Sequence, residues 1–273
     1  TQRLLPYHCV MAAEYKIVRE AGANSPWLVM VHGMSQDHRV FSAQVDAFRK
    51  HHPILLIDLP GHGLSSDQQG PFGHWEMAAH VAAAMTAAGS TPCHYWATHT
   101  GTALGLLLAS REPDDFISLI LEGAVLPGHG MASVERELQR ARDTARNDGM
   151  AAARRQWFAQ AAWFDVMRRH PVVCRATEHE AIIADFSGAP WLYQGPSGQA
   201  VAPIDCEISG LDLPMLFYNG EHDLPDFIAA ADLLENLRPT ARRSVIAEAG
   251  GFPAWEFPAT VNREVAAFLT AIA

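Results

Sequence analysis

Long apolar runs are missing from this sequence, and so is any surplus of positive charge. No segment reaches the roughly 20 unbroken apolar residues that a bilayer-crossing helix needs. The first residues, Thr1 to Pro6, lack the apolar stretch of a secretory signal. A formal net charge of −10 argues against nucleic acid or an anionic membrane as partner, since a binder of either carries a basic patch. Cysteine is scarce: Cys9, Cys93, Cys174 and Cys206 are scattered without CxxC spacing, which excludes a disulfide frame or a metal knuckle and points to reduced thiols in a cytoplasmic protein. Neither GxGxxG nor a P-loop is present, so no nucleotide cofactor is implied. The fourteen histidines form no HxH or HExxH arrangement, so no metal is expected either. A small molecule is the expected partner, and the protein is expected to be a monomer or homodimer.

What is present is a chain of 273 residues with 49% hydrophobic content, enough to bury one large core. Apolar runs at Trp27–Met30 and Ile54–Ile57 read as buried strands. A helix over Trp75–Ala88, a strand over Cys93–Ala97, a helix over Thr102–Ser110 and a strand over Ile117–Leu121 follow. Such alternation predicts an α/β fold with a doubly wound, mainly parallel sheet. The alternation breaks after Leu126-Pro127-Gly128, where Met131 to Ser187 reads as helices rich in Arg, Ala and Glu, carrying Trp157, Phe158, Trp163 and Phe164. Pro203 to Leu213 reads as a loop returning to the core.

Several motifs punctuate this pattern in order. Val31-His32-Gly33-Met34 follows the first strand and precedes Asp37-His38-Arg39-Val40-Phe41. The second strand meets Asp58-Leu59-Pro60-Gly61-His62-Gly63-Leu64-Ser65. A late strand ends in Gly220-Glu221-His222-Asp223, and Ala249-Gly250-Gly251-Phe252-Pro253-Ala254-Trp255 lies near the end. Together these resemble the α/β-hydrolase superfamily over nearly the whole chain except its middle. The resemblance implies a core formed by 1–127 and 204–273, with a helical cap inserted at 128–203. It also implies an acid at Asp223, a histidine where this chain has Gly251, and oxyanion-binding N–H groups at Met34 and at the residue after the nucleophile.

The nucleophile position allows two registers in Ala97-Thr98-His99-Thr100-Gly101. One keeps His before the nucleophile and makes Thr100 the elbow residue. The other places His99 at the elbow, with small residues two before and two after, as the sharp strand-to-helix turn requires. The second also fits the strained backbone of the elbow, where β-branched Thr is costly and His less so. His99 then takes the serine's place while the partner loop holds glycine. An imidazole is long enough to extend into the vacated space and approach Asp223, giving a His99–Asp223 general base with the oxyanion N–H groups of Met34 and Thr100. Glu122, at the end of a central strand, stands as an alternative or auxiliary acid, and Trp157 and Trp163 as cap residues facing the substrate. His32 and His62 read as loop structure.

Three function classes follow. In the first, His99 is the base of a lyase, decarboxylase or cofactor-free dioxygenase acting on a small, largely apolar carbonyl, ester or enol compound. In the second, the enzyme hydrolyses an ester, lactone or carbon–carbon bond through Thr100 or activated water. In the third, the protein binds a ligand without converting it.

Overall fold

The computed structural model describes residues 13–273 apart from 21, 23, 24 and 197. Cys9 and the segment Thr1 to Pro6 lie outside the described residues. Seven strands form one sheet: β1 (Tyr15–Val18), β2 (Trp27–Val31), β3 (Ile54–Ile57), β4 (Cys93–Thr98), β5 (Phe116–Glu122), β6 (Met215–Gly220) and β7 (Arg242–Ile246). Their order is β1-β3-β2-β4-β5-β6-β7, and every pair is parallel except β1 with β3. The expected mainly parallel α/β sheet is therefore present. β1 and β7 are the strands the sequence reading passed over. Both lie at the edges and carry partly exposed, charged residues such as Lys16, Arg242 and Arg243, so neither shows the unbroken apolar run of a strand covered on both faces.

The central strands do show it. All six residues of β4 are buried, as are Leu28 to Val31 of β2. Alternate residues feed two apolar layers. Leu28, Met30, Trp96, Ile120 and Leu216 face one side, which packs against α1 (Ser42–Phe48). Val29, Val31, Tyr95, Ala97 and Leu119 face the other, under α2 (His74–Ala88) and α3 (Thr100–Ala109).

Between β5 and β6 the chain leaves the sheet and forms α4 (Ala132–Asn147), α5 (Met150–Gln160), α6 (Asp165–Arg169), α7 (Ala176–Ala184), α8 (Ala189–Leu192) and α9 (Asp205–Gly210). The stretch expected to be a plain return loop thus contains α9, whose Ile208 is fully buried against the second apolar layer. α10 (Pro225–Leu237) links β6 to β7, and α11 (Pro253–Glu256) and α12 (Pro258–Ala271) complete the chain. Among the described residues, no helix is long and apolar enough to cross a membrane.

Because the central strands run parallel, their carboxyl ends share one edge of the sheet. The turn after β2, the β4–α3 junction, the end of β5 and the β6–α10 turn meet there, which is where open parallel sheets bind ligands.

Candidate active site

His99 occupies the junction between β4 and α3, with φ 47° and ψ −114°. A non-glycine residue held there costs about 1–3 kcal/mol and persists only where its surroundings fix it. They do. The His99 N–H donates to the Glu122 carbonyl at 2.9 Å, and the His99 carbonyl accepts the N–H of Thr102 at 2.8 Å and its hydroxyl at 2.6 Å. That hydroxyl in turn accepts the Val125 N–H at 2.8 Å. Gly101 is obligatory, since a Cβ there would lie 2.5 Å from the Val31 carbonyl oxygen. The backbone therefore makes His99, and not Thr100, the elbow residue.

Two glycines make room for the imidazole. A Cβ on Gly33 would stand 3.0 Å from His99 Cβ and 3.3 Å from Nδ1, and one on Gly123 would stand 2.9 Å from Nε2. Phe227 and Phe252 wall the ring, with centroids at 5.0 and 4.9 Å. Burial in this aromatic setting pulls the His99 pKa down to about 4, offset in part by a backbone contact at Gly251. The ring is neutral at pH 7, and its Nε2 is buried without a hydrogen-bond partner.

The expected approach of His99 to Asp223 is absent. Asp223 sits just after β6, where Oδ1 accepts the Leu224 N–H and Oδ2 the Asn219 amide, each at 2.8 Å. Trp163 packs beside Gly251, its Cβ 2.7 Å from where a Cβ on Gly251 would lie, and the imidazole, set between Gly33 and Gly123, meets the Gly251 backbone rather than the Asp223 carboxylate.

The Glu122 carboxylate makes no hydrogen bond to the His99 ring either. Its Oε2 accepts the Ala254 N–H at 2.7 Å, and it takes a second hydrogen bond from the Tyr218 hydroxyl, which itself accepts from the Trp96 indole at 2.9 Å. Glu256, which the sequence reading did not single out, accepts the Gly250 N–H at 2.6 Å through Oε2, while its Oε1 is buried and unpartnered. Burial is the main reason all three acids hold their protons unusually tightly: Asp223 is pushed up to about 7, Glu122 and Glu256 to about 8. Glu256 and Asp223 raise Glu122 further, and Asp223 raises Glu256. Two of them pin the loop that carries Phe252 against His99.

A cavity of about 420 Å³ opens in front of His99. Met34 and Thr100 line it, as do Trp163, Phe227 and Phe252, with Val134 and Leu138 from α4. Neither the Met34 nor the Thr100 N–H donates a hydrogen bond within the described residues. Arg142, paired with Glu135 at 2.6 Å, and His129, paired with Asp205 at 2.8 Å, bring the polar part of the wall. Of the two tryptophans expected to face substrate, Trp163 lines this cavity. Trp157 does not: it is buried against Trp163, Phe164 and Trp191 and donates its indole N–H to Ser35 at 2.9 Å. His32 and His62 hold loops, as expected, accepting the N–H groups of Leu59 and Ser35. Gln36 and His179 also escaped the sequence reading, and they meet only because α7 packs over the turn after β2. Among the described residues, no group of three or more His, Cys, Asp or Glu could hold a metal ion.

Comparison with known proteins bears on the fold and the family. The family model for the alpha/beta hydrolase fold matches residues 26–258. The chain is 28% identical to 2-succinyl-6-hydroxy-2,4-cyclohexadiene-1-carboxylate synthase of Pectobacterium atrosepticum, over 73% of this chain and 78% of that enzyme. It is 38% identical to pimeloyl-[acyl-carrier protein] methyl ester esterase of Xanthomonas campestris over a shorter stretch, 32% of this chain and 30% of the esterase. Among solved structures, the enol-lactonase of Burkholderia xenovorans LB400 superposes with a TM-score of 0.78 at 25% identity, covering 94% of this chain and 96% of the lactonase. The chain is an enzyme of the α/β-hydrolase fold family.

Proposed function

We propose that this enzyme removes a proton next to a carbonyl group, or from an enol, of a small and largely apolar compound, with His99 as the base and no covalent acyl-enzyme. The observation that carries this is the neutral imidazole at the elbow, its Nε2 without a hydrogen-bond partner, beside a cavity that Met34 and Thr100 also line. A serine relay has no counterpart here, because the elbow lacks a hydroxyl nucleophile and the partner loop lacks its histidine.

The physical sequence is short. The substrate carbonyl accepts the Met34 and Thr100 N–H groups, its apolar body lies against Phe227, Trp163 and Leu138, and His99 takes the proton. Burial makes an isolated imidazolium costly, and the enolate charge developing beside it supplies the compensating partner. Asp223 and Glu122 are not part of this relay; they hold the surrounding loops. The relatives include a synthase, an esterase and an enol-lactonase, all compatible with an oxyanion formed at this place. Hydrolysis by water that His99 activates uses the same groups, and the lactonase likeness across 94% of the chain favours it as the second reading. The unpaired thiols of Cys93, Cys174 and Cys206 accord with a cytoplasmic setting.

The test uses 4-phenylbutan-2-one in deuterium oxide, with α-hydrogen exchange read by NMR. The wild-type protein exchanges these positions, and His99→Ala loses at least about a hundredfold in rate, the scale of a general base. Equal exchange by both proteins sinks the proposal. A lactone opened by the wild type, with no ketone exchange, selects the water-activating reading.

A further inference from the structure

The turn that carries the Met34 N–H is held from the cap at two points. Ser35 stands at φ 63°, a left-handed conformation for a side-chain-bearing residue. Its N–H donates to His62 Nε2 at 3.1 Å, and its hydroxyl oxygen accepts the Trp157 indole N–H at 2.9 Å. The next residue, Gln36, accepts the Gly33 N–H at 3.3 Å through Oε1. That acceptor role fixes the amide orientation, so the Gln36 nitrogen is the atom that donates to His179 Nε2, 3.3 Å away. The His179 proton therefore resides on Nδ1, where no partner meets it. Trp157 belongs to α5 and His179 to α7. Both are buried, and neither lines the cavity.

We propose that Trp157 and His179 are positioning residues through which the helices between β5 and β6 hold the Ser35–Gln36 turn and set the Met34 N–H at the oxyanion position. The inference rests on the reading of Met34 as an oxyanion donor. Two side chains from separate helices reach two successive residues of one strained turn, and each spends its polar group there. A merely space-filling aromatic in either place needs no hydrogen bond. The arrangement also gives the cap a part in assembling the site: when α5 and α7 are docked the turn is braced, and when they lift it loses two of its supports while keeping His62.

The test pairs two readouts on Trp157→Phe and His179→Phe, with Ser35→Ala approaching the first bond from the other side should either cap variant fail to fold. Amide hydrogen exchange by NMR at residues 33–36 rises at least about tenfold in the variants, while protection of β4 and β5 is unchanged. With 4-phenylbutan-2-one as probe, the maximal exchange rate falls at least about tenfold and the half-saturating concentration stays within about twofold, because the oxyanion donor and not the apolar cavity is disturbed. Unchanged amide protection at 33–36 overturns the inference, as does a change confined to half-saturation. The amide measurement needs no substrate and decides the inference even where the wild type leaves the ketone untouched, the result that would count against the proposed chemistry alone.

Discussion

At the scale of single residues, the site is built from glycines as much as from its histidine. Gly33 and Gly123 leave the volume that the His99 ring occupies, and Gly251 leaves the volume that Trp163 occupies. Gly123→Ala tests this directly. Its Cβ would meet Nε2 at 2.9 Å on a backbone with φ +57°, so the variant is expected to lose about 1–3 kcal/mol of stability from overpacking and backbone strain, measured by urea unfolding. Ketone exchange should fall with it, since the ring must rotate away. The identity of the elbow residue was legible in the sequence because it rests on local spacing: Gly101 two residues on, and a backbone that His tolerates better than Thr. The direction of the ring was not. It depends on Phe227, Phe252 and Gly123, which surround the ring, and no spacing rule reports which distant residues meet a given side chain.

At the scale of elements, the loop between β7 and α12 is held by two buried acids. Glu122 from the end of β5 holds the Ala254 N–H, and Glu256 holds that of Gly250. Glu256→Ala leaves the buried Gly250 N–H without an acceptor and is expected to cost about 1–3 kcal/mol, whereas Glu256→Gln, which keeps an acceptor oxygen, costs much less. Urea midpoints for the pair check this, and equal losses would refute the clamp. The mainly parallel sheet was readable from unbroken apolar runs and from the alternation with helices; the order of its strands was not. The edge strands β1 and β7 were hidden by partial exposure. α9 was hidden too, because Pro203 and the Ser-Gly-Leu that ends it carry loop signals while a single buried Ile208 anchors it.

At the scale of the whole molecule, two sets of buried groups oppose each other in pH. His62 and His179 are held down to about 3, and His80, His94 and His99 to about 4, chiefly by burial. In each case the unfolded chain binds the proton more readily, so the stability they contribute is complete above their ordinary value of about 6.5 and is lost as pH falls towards 4. Asp223, Glu122 and Glu256 run the other way: their folded pKa values of about 7, 8 and 8 lie above the ordinary carboxylate range. Their stability is complete below about pH 4 and is lost as pH rises towards 8. Between pH 4 and 6.5 the histidines outnumber the acids, and above 6.5 only the acids still change. Stability is therefore expected to peak near pH 6.5 and to fall on both sides, by up to about 1.4 kcal/mol per pH unit for each group in transition. Urea unfolding at pH 5, 6.5 and 8 measures it, and Glu256→Gln should flatten the alkaline side. A monotonic rise to pH 8 would contradict the buried acid cluster.

The pH profile of α-hydrogen exchange in 4-phenylbutan-2-one, recorded for the wild type and for His99→Ala, tests the central claim most directly. A neutral imidazole held near pKa 4 predicts a wild-type rate that is level from about pH 8 to 5.5 and falls towards pH 4 as the ring takes up its proton, with no enzymatic rate in the variant. A wild-type rate that survives the loss of His99, or one that rises through pH 7 as an ordinary exposed histidine would dictate, would contradict it.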